Sequence, residues 1–249
     1  MEAERNMIRI AVTVVIVTLM VSLFGCGEAM VRVAELPTFE VGDKWIYEGI
    51  ITPGEEVEDI ENHEDIVTIE FTLTIEVAET DIVEGRDCWV MKYEGGLTGD
   101  ELHVSTLKID KSTLFPLEQQ DLPQLEPPEM PDGLTVRTVQ TVSYEFPDCS
   151  FWPLETGKEI KVVEHITRTT TYSDTGDTDT ETETRTTTYR VEKVEGITVP
   201  AGTFMCFKIV RYNEAGKRVE TRWYSEEAKW YVKVIGHPWS ILELKSYSL

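Results

Sequence analysis

The chain has few of the residues from which catalytic and metal sites are built. Its 249 residues include only four histidines and four cysteines, and none forms a closely spaced pair, such as C-x2-C, of a structural zinc site. The sequence contains no G-x-S-x-G elbow, no P-loop and no G-x-G-x-x-G after a strand. Carboxylate pairs for hydrolysis are set by spatial separation, so a hydrolase stays open as the least favoured alternative. We expect a protein that is not an enzyme and has no cofactor.

Basic residues are also scarce. Lysine and arginine number 23 against 46 acidic residues, which gives a formal net charge of −23. A surface of this charge repels nucleic acid and anionic lipid headgroups, so we expect neither as a partner. The acids are spread along the chain, as on a solvated surface.

A sustained helical period is missing as well. Residues 65–79, DIVTIEFTLTIEVAE, alternate apolar and polar side chains, which is typical of a half-buried strand. Similar runs of strand length follow, separated by Gly, Pro, Asn and Asp. These patterns predict an all-β fold: an antiparallel curved sheet, a half-barrel or a barrel.

Two stretches differ from the strands. Residues 117–133 contain four prolines and predict a linker or extended loop. Residues 167–189 are rich in threonine and acids around the turn signal DTGD, which predicts a long hairpin with both faces in water. Four acids near its tip could hold Ca²⁺, although a solvated turn explains them equally well. These are Asp174, Asp177, Asp179 and Glu181.

Segments recur at a spacing of roughly 115 residues, the length of a small domain. FEVGDKWIYEG (39–49) is echoed by LETGKEIKVVE (154–164), and residues 67–93 by 184–210. We therefore predict two related β-meanders, 39–116 and 134–249, which form either two lobes or the halves of one larger sheet. Cys88 then matches Cys206; the pair forms either a disulfide or two buried thiols, and the buried thiols are favoured.

The start of the chain predicts export and membrane attachment. Residues 10–24 are uncharged but too short to span a bilayer, as in a secretory signal. The following Leu23, Phe24, Gly25 and Cys26 resemble a bacterial lipobox. The resemblance implies a signal peptide (1–25), acylation of Cys26, and a lipid anchor and tether (26–38) on the extracytoplasmic face of the cell membrane. An uncleaved signal anchor is the alternative, and translation could start at Met1 or Met7.

Three motifs carry a family resemblance. They are FEVGDKWIYEG (39–49), ITVPAGTFMCFKIV (197–210) and RWYSEEAKWYVKVI (222–235). They resemble DUF3108-like exported β-proteins, similar in architecture to the curved half-barrels of lipoprotein carriers. The resemblance implies a hairpin and a core, but it names no catalytic group.

Two functions remain open. In the first, the curved sheet binds a lipid or other apolar ligand on a concave face. In the second, the sheet interior is packed, and the hairpin 167–189 contacts a protein partner in the envelope. The residues predicted to line the concave face are Trp45, Phe71, Trp89, Phe204 and Trp223.

Overall fold

The described residues form fourteen strands. The computed structural model describes residues 32–51, 69–97, 103–120, 136–146, 149–172, 176–236 and 239–249. No helix that could cross a membrane occurs within these ranges. In chain order the strands are β1 (Val33–Ala34), β2 (Lys44–Ile51), β3 (Ile69–Val83), β4 (Arg86–Leu97), β5 (His103–Asp110), β6 (Pro116–Gln120), β7 (Val136–Glu145), β8 (Leu154–Glu155), β9 (Glu159–Tyr172), β10 (Thr178–Val199), β11 (Gly202–Tyr212), β12 (Arg218–Ser225), β13 (Trp230–Gly236) and β14 (Trp239–Ser248).

Twelve of these strands form a closed antiparallel barrel. From β2 to β7 and from β9 to β14 each strand pairs with the next, β7 pairs with β9, and β14 pairs with β2 to close the ring. The short strands β1 and β8 form a separate two-stranded sheet. The all-β prediction is confirmed, and the curved sheet is a barrel.

Strand β3 shows why the alternating pattern was informative. Phe71, Leu73, Ile75 and Val77 are buried, whereas most of the intervening polar side chains are at least partly exposed. Because successive side chains of a strand point to opposite faces, this alternation places one face of β3 in the core.

The two runs of six strands begin with the same backbone hydrogen bonds. Before β2, the amide of Gly42 donates to the carbonyl of Val77 on β3, and the amide of Val77 donates to the carbonyl of Asp43. Before β9, the amide of Gly157 donates to the carbonyl of Val191 on β10, whose amide donates to Lys158. Both glycines have positive φ, 103° and 87°, which a residue with a Cβ rarely adopts.

A bulge follows at the corresponding point of each half. The β3–β4 register shifts between Val77 and Glu79, and the β10–β11 register shifts between Val191 and Lys193. The recurrence lies in hydrogen bonding and register; a duplicated sequence as its origin stays a prediction.

Two large clusters and one small one make up the core. The first cluster is built around Trp45, Tyr47, Trp223 and Trp230. The second cluster contains six aromatic side chains, namely Phe115, Phe151, Trp152, Tyr189, Phe207 and Tyr224. The third contains Val83, Cys88 and Leu117.

The structure describes parts of the predicted linker (117–133) and of the predicted hairpin (167–189). Residues 117–120 belong to β6, and Leu117 is buried, so the predicted linker begins later than expected. The rest of that linker lies outside the described residues. Residues 167–172 and 178–189 are paired within β9 and β10.

Candidate functional site in the barrel interior

The five aromatic residues predicted to line a ligand site lie in or against packed core. Trp45, Phe71, Phe204 and Trp223 expose at most 7% of their surface and belong to the first cluster. Trp89 is half-buried against the same cluster. Core packing therefore accounts for these five side chains.

Phe39 holds two of these tryptophans together. Its ring makes edge contacts with Trp45 at 5.5 Å, with Trp89 at 6.0 Å and with Trp230 at 5.5 Å between centroids. The Nε1 of Trp45 donates to the carbonyl of Ala228 at 2.7 Å. These contacts join β2, β4 and β13 through side chains.

Trp223 lies apart from that group. It follows Arg222 on β12, and its Nε1 donates to Glu195 Oε1 at 3.0 Å. Since neighbouring residues of a strand point to opposite faces, Trp223 and Arg222 face opposite sides of the barrel wall.

The disulfide between Cys88 and Cys206 is not formed. Cys88 is a free cysteine in the small cluster with Val83 and Leu117. Cys206 lies in the first cluster, and its thiol donates to the carbonyl of Phe204 at 3.5 Å. The two cysteines occupy corresponding positions, opposite Asp81 and Glu195 beyond each bulge, but in different clusters. The alternative of two buried thiols therefore describes them.

The acids at the hairpin tip are only partly described. Asp177, Asp179 and Glu181 are exposed, and the hydroxyl of Tyr172 donates to Asp179 at 3.3 Å. Asp174 lies outside the described residues, as does Cys26. In the part of the chain that is described, no three His, Cys, Asp or Glu side chains converge as metal ligands. Calcium binding and acylation of Cys26 stay predictions.

Charged side chains that the sequence did not single out meet on β11 and β12. Glu220 exposes only 6% of its surface, and its carboxylate accepts a hydrogen bond from the Nε of Arg222. Arg211 pairs with Glu220 in register, and its Nε lies 4.0 Å from Glu220 Oε1. That Nε is buried and has no hydrogen-bond partner among the described residues.

An interaction between opposite walls shows that Arg222 points into the barrel. Burial raises the pKa of Tyr93 on β4, and the charge of Arg222 on β12 partly offsets that rise. Five strand-to-strand steps separate β12 from β4 by the shorter way round. At about 4.8 Å per step this is roughly 24 Å along the wall, too far for such an effect. The two side chains therefore meet across the interior.

Glu164 on β9 extends this group. Burial raises its pKa above the ordinary value, while Arg211, the hydroxyl of Thr187, Arg185 and Arg222 act to lower it. Thr187 donates to Glu164 Oε1 at 3.3 Å. Four tyrosines from four strands lie around these charges, and the pKa of three of them is raised, mainly by burial. We call the following set the lumenal cluster: Glu164, Arg211, Glu220 and Arg222, with Tyr93, Tyr144, Tyr189 and Tyr231.

Glu220 and neighbouring groups keep Arg222 charged. Burial acts to lower the pKa of Arg222, but Glu220, Tyr231 and Tyr189 outweigh it, so the pKa lies well above its ordinary value. The guanidinium also lies over the Tyr231 ring, 5.1 Å from its centroid. Arg222 is thus a fixed positive charge inside the barrel.

Further charges of alternating sign continue along β9 and β10 to a more exposed region. Arg185 Nε lies 2.6 Å from Glu183 Oε1, and Arg168 Nη1 lies 3.8 Å from Glu183 Oε2. Arg168 also donates to Gln140 on β7 at 3.0 Å. Arg185 and Glu183 are each exposed, whereas Glu220 is buried. The charged face therefore leads from solvent to the lumenal cluster.

The arrangement is suited to binding. Arg211 and Arg222 keep 27% and 30% of their side-chain surface accessible, although they face the interior. Because a guanidinium presents its N–H donors as a planar fork, it matches a carboxylate or phosphate group.

Little in the amino-acid pattern singles out these residues. Glu220 and Arg222 alternate with Thr221 and Trp223, which reads as an ordinary strand with a polar face in water. One weak signal was present: the face of this strand opposite Glu220 and Arg222 begins with Thr221, so neither face of the strand is wholly apolar.

Comparisons with known proteins give a partial likeness. A family model described as DUF3108-like matches residues 137–237, less than half of the chain. That segment includes the motifs at 197–210 and 222–235, whereas FEVGDKWIYEG lies outside it. No curated protein matches the chain.

Two solved structures are similar over most of their length. A protein classed as a lipoprotein from Parabacteroides distasonis is 12% identical, with 86% of this chain and 99% of that chain covered and a TM-score of 0.36. A protein classed as exported, with a YmcC-like fold, from Bacteroides fragilis is 9% identical, with 87% and 100% covered and a TM-score of 0.35. Over residues 137–237, therefore, the chain is similar to the DUF3108-like proteins.

Proposed function

We propose that this chain is an exported, lipid-anchored protein whose barrel binds a small ligand in its interior without converting it. The observation that carries the proposal is the accessible surface of Arg211 and Arg222 inside a closed ring of strands. Side chains fill the interior of a barrel of about eight strands, and the interior widens as strands are added. We therefore expect a barrel of twelve strands to leave space for a ligand beside the packed clusters.

The proposed location rests on the start of the chain. In this proposal the uncharged run 10–24 serves export, and the lipobox-like residues Leu23–Cys26 at its end serve acylation. Two or three acyl chains anchor a protein stably. Mass spectrometry of the protein recovered from membranes tests this. A chain that begins at Cys26 and carries acyl mass supports the proposal, whereas an uncleaved chain without acyl mass contradicts it.

Native mass spectrometry of the full chain tests ligand binding. The protein is extracted from membranes in two neutral detergents of different mass and analysed before and after denaturation. An extra mass that is the same in both detergents and is lost on denaturation identifies a bound ligand. A bare polypeptide mass, repeated after incubation with a total lipid extract, contradicts the proposal.

A specific observation favours a second function. Thr178–Arg185 on β10 are eight consecutive exposed residues, although they lie in a regular paired strand. A paired strand with both faces in water can contact a partner protein without refolding. Cross-linking in cells, with and without Thr180→Ala and Thr182→Ala, tests this function. Loss of a specific cross-linked product in the variants, with ligand mass unchanged, favours the interaction module.

A further inference from the structure

We infer that the lumenal cluster binds the anionic group of an amphipathic ligand, a carboxylate or a phosphate ester carried on a hydrocarbon chain. The inference rests on the proposed function, because it assumes that the barrel interior is open to a ligand. The hydrogen-bonding state of Arg211, the local charge and the composition of the facing wall support it.

Arg211 is the first support. Its Nε is buried without a hydrogen-bond partner among the described residues, and the neighbouring carboxylate of Glu220 lies too far away at 4.0 Å. Buried polar groups are nearly always hydrogen-bonded, since an unmade bond loses the solvation of the group. An oxygen of a bound anion beside Arg211 would supply the missing acceptor.

The balance of charge is the second support. The lumenal cluster and the charged path to it contain four arginines and three glutamates, although the whole chain has a net charge of −23. The chain as a whole therefore repels anions, whereas these seven side chains together carry one formal positive charge. The arginines are Arg168, Arg185, Arg211 and Arg222, and the glutamates are Glu164, Glu183 and Glu220.

The composition of the facing wall is the third support. Tyr93 on β4 faces the interior opposite β12, where the charge of Arg222 acts to lower the pKa of its hydroxyl. On the adjacent strand β5, Leu107 pairs with Met91 and is only half-buried. Accessible hydrocarbon thus lies on the wall that faces the arginines. A ligand with an anionic head and an apolar chain would contact both.

A structural role for the charges alone does not account for these features. In a buried ion pair that serves only stability, each charge is compensated and hydrogen-bonded. Arg222 and Glu220 meet this description. Arg211 does not, because it adds a second positive charge beside a carboxylate that is already occupied.

A titration of the full chain with three eight-carbon probes tests the inference. The protein, in a neutral detergent, is mixed with octanoate, octyl phosphate or 1-octanol, and the bound fraction is measured by native mass spectrometry. We expect both anions to bind about tenfold more tightly than the alcohol, since hydrogen bonds to charged groups are the strong ones. The two anions also separate a fatty-acid ligand from a phospholipid ligand by their relative affinity.

Arg211→Gln is the main variant, because it removes the charge without leaving Glu220 unpaired. We expect it to abolish the preference for anions and leave 1-octanol binding unchanged, while Arg211→Lys retains part of the preference. Arg190→Gln, in an exposed pair with Glu159, is the matched control and should change nothing. Thermal unfolding of each variant shows that the barrel still folds.

The outcomes separate the inference from the proposed function. Equal affinity for all three probes, or an unchanged preference in Arg211→Gln, overturns the anionic site but leaves a ligand-binding barrel. Binding of none of the probes overturns both.

Discussion

The two halves of the barrel share a backbone pattern but differ in what they present to the interior. In the first half, the ladder across β3, β4 and β5 runs Val77, Met91, Leu107. In the second half, the corresponding ladder across β10, β11 and β12 runs Val191, Ile209, Arg222. Two residues further from the bulge, on the same face, the first half has Ile75, Tyr93 and Ser105. The second half has Tyr189, Arg211 and Glu220 at the corresponding positions.

The difference shows that strand pairing and interior chemistry are set by different residues. The turn glycines and the bulges fix the register of each half, and they recur. The interior side chains carry no part of that hydrogen bonding, so they can differ between the halves. One wall is largely apolar and the opposite wall is charged, which gives a single barrel two unlike inner faces.

Gly49 and Glu164 illustrate the difference in interior side chains between the halves, since each lies seven residues after the turn glycine of its half. At Gly49 the space a Cβ would need is filled by the ring of Phe71, whose Cζ would lie 2.1 Å away. In the second half a carboxylate is accommodated at the corresponding position. The apolar half therefore depends on close packing, and the charged half on compensated charge.

Gly49→Ala should have the largest effect. The new methyl group must displace the buried Phe71 ring, and overpacking of this kind costs typically about 3 kcal/mol at the upper end. We expect a loss of that size in the free energy of unfolding by urea. Gly196→Ala is the control, because its Cβ meets only Met205 Sδ at 3.8 Å. If the two variants unfold at the same urea concentration, Phe71 does not depend on Gly49.

Arg222→Met tests the charged half and should rank second. It leaves the buried Glu220 without its guanidinium partner, which in a fully buried pair costs roughly 3–5 kcal/mol. Because Arg222 keeps 30% of its side chain accessible, water screens part of that loss, and we expect about 2 kcal/mol.

The double variant Arg222→Met, Glu220→Gln should recover most of that stability, since the side chain that loses its guanidinium partner is then neutral. Urea unfolding of the two single variants and the double variant forms the cycle. Additive losses would show that the two side chains do not depend on each other.

The fold was more predictable from sequence than the site. Alternation along residues 65–79 and the turn residues between strands identified antiparallel β-structure because burial of one strand face repeats every second residue. Closure of the barrel was not predictable, since it depends on β14 meeting β2 from opposite ends of the chain. The lumenal cluster was not predictable for the same reason: Tyr93, Glu164 and Arg222 are far apart in sequence, and only strand pairing and barrel closure bring them to the same interior.

The sequence also left open how the aromatic residues pack against the barrel wall. Trp45 and Trp223 are buried in the first cluster, but the sequence could not show on which side of the wall each one packs. The barrel wall has buried side chains on both faces at β11 and β12, so burial alone does not identify the interior.

Gly42→Ala and Gly157→Ala should have smaller and nearly equal effects. Neither Cβ would meet an atom within 4 Å, so the cost is the positive φ alone, about 1 kcal/mol. Urea unfolding of each variant measures the loss. A large loss in only one of them would show that the two turns do not stabilise the halves alike.

Glu164→Gln should have the smallest effect, and its sign should depend on pH. Burial raises the pKa of Glu164 in the folded state despite Arg185 and Thr187 on β10, Arg211 on β11 and Arg222 on β12, and Tyr144 on β7 also faces it. Below the ordinary value of 4.5 the carboxyl is protonated in both states and costs nothing. As the pH rises from 4.5 to the raised pKa, the unfolded state ionises first and folding becomes less favourable, and above the raised pKa the loss is complete. The glutamine variant lacks this penalty, and its side-chain oxygen can still accept a hydrogen bond from Thr187.

Glu164→Gln should therefore be more stable than the parent at pH 8 and equal to it at pH 4, as measured by urea midpoints. A variant less stable than the parent at pH 8 would mean that the ionised carboxylate is needed to balance the arginines.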